Sequence, residues 1–374
     1  MQIIQPFFIF IITFYLILEI SKWFNLNFID SSKIFIFRSI ICLAYIPILY
    51  STNSDAFGYY HSPPLESGVF FSTGLIKSIT YILKDNLHLT FVSCSLIFSF
   101  IGSIGSILLF SIIKDLTKNS DKKLKFLAGL IVYFPIFNLW TVCIGKDAIT
   151  FTCINLIIFS FFNLNSRFLL LIISALFLSL IRTYLGLVLI FGLIISITQK
   201  ASFPLFYKLF FIGSSSIFLV ILINLSSKFF PSLSLYDISE RLTDYGVSTS
   251  VGSTAIDLSS SSLPMKIFTY LFRPLFFEAR DLFTILMAVE NTILLFVVVY
   301  PLLISIKNKK FIRFELNSLQ VFLIIFLIGT TIPYSIVTSN LGMAYRHKIT
   351  LLPALIYLSL SKSKNKISKP INLV

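Results

Sequence analysis

Apolar runs separated by short polar segments recur along the whole chain. Many are long enough, at roughly 17 to 25 residues, to cross about 30 Å of hydrocarbon as a helix. The pattern predicts an all-α, polytopic integral membrane protein with about eleven spans. They are expected at 3–20, 33–50, 90–113, 126–143, 148–163, 168–181, 184–198, 209–226, 282–305, 319–337 and 349–361. Spans 168–181 and 349–361 are short, so tilt, local thinning or a merged 168–198 is the alternative there. No separate soluble domain or internal repeat interrupts the pattern, so residues 1–374 are expected to form one membrane domain. The first apolar run has neither a basic stretch before it nor a small-residue cleavage site after it. It is therefore expected to be a first span rather than a removed leader.

The polar segments between spans sort by charge. One set carries Lys22, Lys33 and Arg38; Lys114, Lys118, Lys122, Lys123 and Lys125; Arg167; Lys200 and Lys208; Lys307, Lys309, Lys310 and Arg313; and Lys362, Lys364, Lys366 and Lys369. These are 19 of the 30 Lys and Arg residues, and their segments alternate with the other set along the chain. The positive-inside rule predicts that they are cytoplasmic, with the amino terminus outside and the carboxyl terminus inside. The opposite face then holds the long polar segments. These are a first outer loop at 51–89 and a large one at 227–281, before the last three spans, with a Ser-rich, low-complexity middle. Within the first, Gly68 to Leu83 is expected to form an amphipathic helix lying in the interface.

Composition agrees: 56% of residues are hydrophobic and 12% charged, where a soluble domain carries about 25% charged. The net charge of +14 invites a nucleic-acid partner, but the lysines lie in short loops without a basic, aromatic-interleaved patch, which argues against one. Cys42, Cys94, Cys143 and Cys153 all fall within or at the ends of apolar runs and lack metal-ligand spacing. Neither a metal site nor a cofactor signature is found, and no Walker loop, GxGxxG, HExxH or GxSxG is present. The Gly102/Gly105 pair suggests only close helix packing.

Candidate chemistry gathers on the outer face. Asp55, followed by Tyr59, Tyr60 and His61, sits just beyond the second span, where a carboxylate or imidazole suits a general base toward a sugar hydroxyl. The alternative is a solvated acid beside interfacial tyrosines. Gly145-Lys146-Asp147 occupies a tight turn. Asp147 suits the positive start of the next span, while Lys146 is a candidate phosphate ligand. Arg182 lies between two spans and must either snorkel or pair. In Tyr270–Asp281, Pro274 is expected at the first turn of a helix. That helix would put Arg273 and Arg280 on nearly one face, about 10 Å apart, as a diphosphate site, with Glu278 as base or orienting partner. Glu290, beside Asn291, is an intramembrane acid expected to contact substrate or pair with a cation such as Arg182. Arg346, in the run Tyr345–Lys348, enters the last span from outside as a further phosphate or sugar-acid ligand. For each of these positions, capping or interfacial anchoring is the competing explanation.

Taken together, the spans, the large late outer loop, the FRPLFFEA…AVEN stretch (272–291), the GKDA turn (145–148) and AYRHK (344–348) resemble bacterial O-antigen and capsular polysaccharide polymerases. SDAFGYYH (54–61) also resembles the first-loop acid of the wider group of polyprenyl-dependent glycosyltransferases. Here, however, Ala56 follows Asp55 where an Asp-Glu pair is common. The resemblance implies joining of undecaprenyl-diphosphate-linked oligosaccharide repeat units at the outer face of a bacterial cytoplasmic membrane. Asp55, Glu278 or His61 would then be the base, and Arg273, Arg280, Arg182 and Arg346 would hold diphosphate, with Lys146, Asp147, Tyr59 and Glu290 lining the site. The lipid bilayer is the expected surroundings, and a chain-length regulator and flippase of the same pathway are the implied partners. The competing expectations are a single-sugar polyprenyl-phosphate glycosyltransferase and a transporter for lipid-linked oligosaccharide. The latter would show charges and interrupted helices at mid-depth.

Overall fold

Polar residues at the edges of the apolar runs set where helices start. In the computed structural model, Asn27, Ser54, Thr90, Asp121, Asn163, Asn317 and Asn340 each cap a helix by accepting a backbone N–H with the side chain. The structure describes residues 4–52, 54–62, 71–198, 254–258, 260–307 and 316–361, with a few positions between 205 and 217. Most of the expected span 209–226 and about half of the 227–281 loop therefore lie outside the described residues, as do 68–70 of the expected interfacial helix.

The described residues are helical, with one isolated bridge, Ala255 to Asn340. The helices are α1 (Ile4–Trp23), α2 (Phe28–Ser51), α3 (Asp55–His61), α4 (Thr73–Tyr81), α5 (Phe91–Leu116), α6 (Lys122–Leu130), α7 (Pro135–Thr141), α8 (Lys146–Phe161), α9 (Leu164–Ile181) and α10 (Thr183–Thr198). Then follow α11 (Leu263–Phe272), α12 (Leu282–Lys307), α13 (Ser318–Val337), α14 (Leu341–Lys348) and α15 (Leu352–Ser361). Among the described residues, seven stretches are able by length and composition to cross a membrane: α1, α2, α5, residues 122–141, α9, α12 and α13. The outer faces remain apolar, with Phe7, Phe8, Ile12 and Tyr15 of α1 all exposed, as expected of a surface solvated by lipid. The chain is a membrane-embedded helical protein.

Helices α5 and α8 form the centre, packed on each other and flanked by α2 and α9. Nearly every residue of α8 is buried, so it belongs to the protein interior rather than to a lipid-facing surface. Small residues let the two approach closely, as the Gly102/Gly105 pair suggests. A Cβ on Gly105 would meet Phe151 and Thr152 at 2.9 Å, and Thr152 donates its hydroxyl to the Ile101 carbonyl at 2.7 Å.

Two expected spans take a different form. The expected 126–143 span is broken: α6 ends in a 3-10 turn at Ile131–Tyr133, and Pro135 then starts α7. Pro135 has no N–H to continue the ladder, and residue 134 before it is extended. Likewise the chain entering 349–361 forms a separate short helix, α14, before α15. The expected interfacial helix is seen as α4 followed by a π-helical turn at Ile82–Asn86.

Candidate functional site

At one end of the bundle, side chains from four separated segments meet around the start of α8. Lys146 and Asp147 occupy its first turn, after Gly145. Asp147 has its side chain only 3% exposed and receives two guanidiniums. Arg182, which ends α9, donates Nη2 to Oδ1; Arg346, from α14, donates Nε to Oδ2 at 2.8 Å. Arg346 also donates Nη1 to Asp55 Oδ2 at 2.9 Å, and its guanidinium lies 5.0 Å from the Trp140 ring centre. Lys146 donates Nζ to Ser72 Oγ at 2.9 Å. The sequence thus names Asp55, Lys146, Asp147, Arg182 and Arg346 as separate candidates, and the fold brings them together.

Local structure explains the aim of each. Ser54 caps α3, so Asp55 opens that helix. Asn340 Oδ1 accepts the N–H groups of Gly342 and Met343, and Leu341 N donates to the Thr254 carbonyl, fixing the start of α14. Ser72 has φ of 54°, a left-handed conformation costly for a non-glycine residue, and is held there by its own N–H bond to the Leu180 carbonyl at 2.8 Å.

Three cations therefore face two carboxylates, and the carboxylates differ in kind. Asp147 is enclosed between two guanidiniums. Asp55 has its side chain 59% exposed and remains reachable while tethered through one oxygen. Arg182 is paired through Nη2 only, and its buried Nε has no partner. Arg182 neither snorkels nor pairs with Glu290, because Asp147 lies within reach at its own helix end. Nor is capping the role of the Asp147 carboxylate, which both arginines occupy. Tyr59 sits in the field of the same charges. Burial, and then the Asp55 carboxylate, push its phenol above its ordinary value against the pull of Arg346. His61 is exposed; its Nδ1 pairs with the Phe57 carbonyl at 3.0 Å and its ring packs on Phe57.

The 270–281 segment departs from expectation. Pro274 does not start a helix: α11 ends at Phe272, a 3-10 turn occupies Phe276–Glu278, and α12 begins only at Leu282. Arg273 and Arg280 therefore share no helix face. Arg273 instead pairs with Glu278, donating Nε to Oε1 at 2.6 Å and also its Nη2, while Leu275 N donates to Glu278 Oε2 at 2.8 Å. Burial disfavours the Glu278 carboxylate, but the Arg273 hydrogen bond, the Leu275 amide and the Arg273 charge outweigh it. The carboxyl is held below its usual range. Arg280 is exposed, and its backbone N–H is tied to Thr284 Oγ1.

Deeper in the bundle, Glu290 meets the broken helix rather than an arginine. It accepts from Ile136 N at 2.7 Å and Phe137 N at 3.3 Å, the free amides at the start of α7, and from the Tyr345 hydroxyl. Beside it Lys348 donates to Asn291 Oδ1 and, at 3.0 Å, to the Leu271 carbonyl, and Asn291 donates to the Pro274 carbonyl at 3.1 Å.

Arg38 was expected in a cytoplasmic loop and is instead fully buried inside α2. It donates to Ser106 Oγ (2.9 Å), Asn138 Oδ1, the Thr141 carbonyl (2.7 Å) and Thr141 Oγ1 (3.1 Å). The helix starts at Phe28, five residues before the expected span, which carries Arg38 past the interface. The apolar residues on both sides of it, FIFRSIICL, are the signal that marks it as interior. Ser72 and Trp140 had no such signal: each acquires its place only through tertiary contact.

No protein-family model matches the chain, and no curated protein or solved structure does either.

Proposed function

We propose that the chain polymerises polyprenyl-diphosphate-linked oligosaccharide repeat units at the outer face of a bacterial cytoplasmic membrane, crossing it about eleven times with its lysine-rich loops inside. The observation that carries this reading is the meeting of Asp55 with Arg346, Asp147, Arg182 and Lys146 at one end of the bundle. Glycosyl transfer from a lipid diphosphate requires a base and a cation cluster side by side. The acceptor hydroxyl gives its proton to Asp55 while its oxygen bonds to the anomeric carbon. The bond from that carbon to the diphosphate oxygen breaks, and the departing diphosphate takes the electron pair. Lys146, the unpartnered Nε side of Arg182 and Arg346 offset its charge, and Asp147 holds the two guanidiniums in register. Arg273, Glu278 and Arg280 belong to the neighbouring segment, where the exposed Arg280 is available to the donor's outer phosphate.

One observation favours a second reading, transport of the lipid-linked oligosaccharide. The break at Pro135 opens α7, which meets Glu290 at its start and Arg38 at its far end, an interrupted helix flanked by charges. Both groups are sealed by packing, at 3% and 0% exposure, and lack the open path that transport requires.

Deleting the gene in the native bacterium and viewing surface polysaccharide on a gel separates these readings. Loss of a polymerase leaves core carrying a single repeat unit; loss of a transporter leaves core carrying none. A single-sugar transferase leaves a ladder of altered mobility. Complementation with Asp55→Asn or Arg346→Ala is expected to leave single units at normal protein abundance, and Arg280→Ala to restore a partial ladder. A full ladder with Asp55→Asn removes Asp55 as the base.

A further inference from the structure

The end of the bundle opposite the Asp147 cluster carries a groove that the proposed reaction does not use. α5 runs from Phe91, beside Tyr60 and Phe57, to Lys114 and Leu116, where Lys114 Nζ meets Asp30 Oδ2 of α2 at 2.6 Å. Between this last part of α5 and α6 lies a half-open slot of about 520 Å³, within the size range of small-molecule sites. Its walls are mainly apolar: Phe110 from α5, Phe126 from α6, and Tyr133 from the turn that follows. Gly129 leaves room at its base. Lys114, Lys118 and Lys125 stand along the same slot. All three are exposed, and Phe126 is 66% exposed, so the groove opens outward where lipid surrounds the bundle.

Charge separates this slot from an ordinary packing defect. Two nearby acids have partners other than Lys118 and Lys125: Asp30 pairs with Lys114 of the slot itself, and Asp121 accepts the Leu124 N–H at 2.9 Å and the Tyr300 hydroxyl. Lys118 and Lys125 therefore present positive charge at the mouth of an apolar slot. A ligand that satisfies both features has a phosphodiester head with net negative charge and a hydrocarbon chain. A free anion would leave the aromatic walls unused, and a zwitterionic lipid would bring its own cation against the lysines. We propose that this groove binds an anionic phospholipid, with the phosphate between Lys118 and Lys125 and one acyl chain in the Phe110–Phe126–Tyr133 slot. Basic pockets between membrane helices hold anionic headgroups by this combination, with each lysine near the surface strengthening binding about fivefold.

The test uses full-length protein in nanodiscs of equal phosphatidylglycerol and phosphatidylcholine, with retained lipid read by native mass spectrometry after release. Wild type is expected to retain phosphatidylglycerol over phosphatidylcholine. Lys118→Glu/Lys125→Glu is expected to lower that preference by roughly tenfold or more. Lys22→Glu/Lys33→Glu, the same charge change outside the groove at the same end, is expected to leave it. Gly129→Leu fills the slot without touching charge and is expected to abolish retention as well. If Gly129→Leu retains lipid, the basic surface acts without the groove and the proposal fails. Equal loss in the Lys22/Lys33 variant overturns it in the same way. Displacement of retained lipid by millimolar inorganic phosphate would mark a bare phosphate site and overturn it too.

Discussion

Gly102→Ala isolates the buried Arg38 network, because the wild-type glycine is what admits the guanidinium. A Cβ there would lie 2.3 Å from Arg38 Nη2 and 2.4 Å from the Thr141 carbonyl oxygen. The second contact is backbone and cannot swing aside, so α7 must retreat from α5 and Arg38 must leave Thr141. Losing a hydrogen bond to a charged group costs about 1.5–3 kcal/mol, and overpacking the α5–α7 contact adds about 1–3 kcal/mol. Replacing a helical glycine by alanine returns about 0.5–1 kcal/mol. The net expectation is a loss of about 2–5 kcal/mol, or about 4–10 °C in melting temperature at about 2 °C per kcal/mol for a chain of this size. Gly58→Ala in α3, where a Cβ meets nothing within 4 Å, is the matched control and should be neutral or slightly stabilising. Tryptophan fluorescence during heating in detergent reads both, since Trp140 adjoins Thr141. A Gly102→Ala protein melting within about a degree of wild type would show that Arg38 is not held as described.

Three further outcomes follow from the same geometry. Asp147→Asn should lower the melting temperature by more than Asp55→Asn, because it strips two half-buried guanidiniums of their buried counter-charge, a change of up to about 3–5 kcal/mol when one partner of a buried pair is removed; thermal scans of both variants check the order. The Glu278 carboxyl is depressed by Arg273 in the folded protein, so its stabilisation is fully present above the ordinary glutamate value of about 4.3 and is lost as pH falls through the lower folded value. The melting difference between wild type and Glu278→Gln should therefore be constant near neutrality and shrink under acid, and a gap that widens under acid would contradict the pairing. Finally, all four cysteines are buried, so a water-soluble maleimide should label the native protein little and the denatured protein fully, as counted by mass spectrometry.

Helix positions were legible where apolar length and caps agree. α5 after Thr90 and α13 after Asn317 start within a residue or so of the expected spans because one side chain fixes each beginning. Residues 122–141 were not, since hydropathy averages over Pro135 and cannot register a break whose free amides are met by Glu290, a residue far along the chain. Five of the charged candidates were legible as membrane-edge positions. Their mutual pairing was not, because Asp55 and Arg346 are 291 residues apart and no local pattern links them. The 270–281 segment misled for a local reason. Pro274 is compatible with a helix start, but Glu278 turns back onto Arg273 and the Leu275 amide, and helix resumes only after Asp281 caps through Thr284 N at 2.8 Å.

The break at Pro135 also sets a chronology for how the protein is made. Glu290 is synthesised 154 residues after Ile136, roughly 8 to 30 s later at ordinary translation rates. Until then the amides that open α7 have reached the bilayer without the carboxylate that satisfies them, in a medium that supplies no substitute. Arg38 waits similarly, for acceptors 68 to 103 residues downstream. The early helices therefore cannot reach their final packing as they emerge, and the first half of the chain stays provisional until α12 arrives. A chain truncated before Leu282 should accordingly insert yet remain open to proteolysis around residue 134.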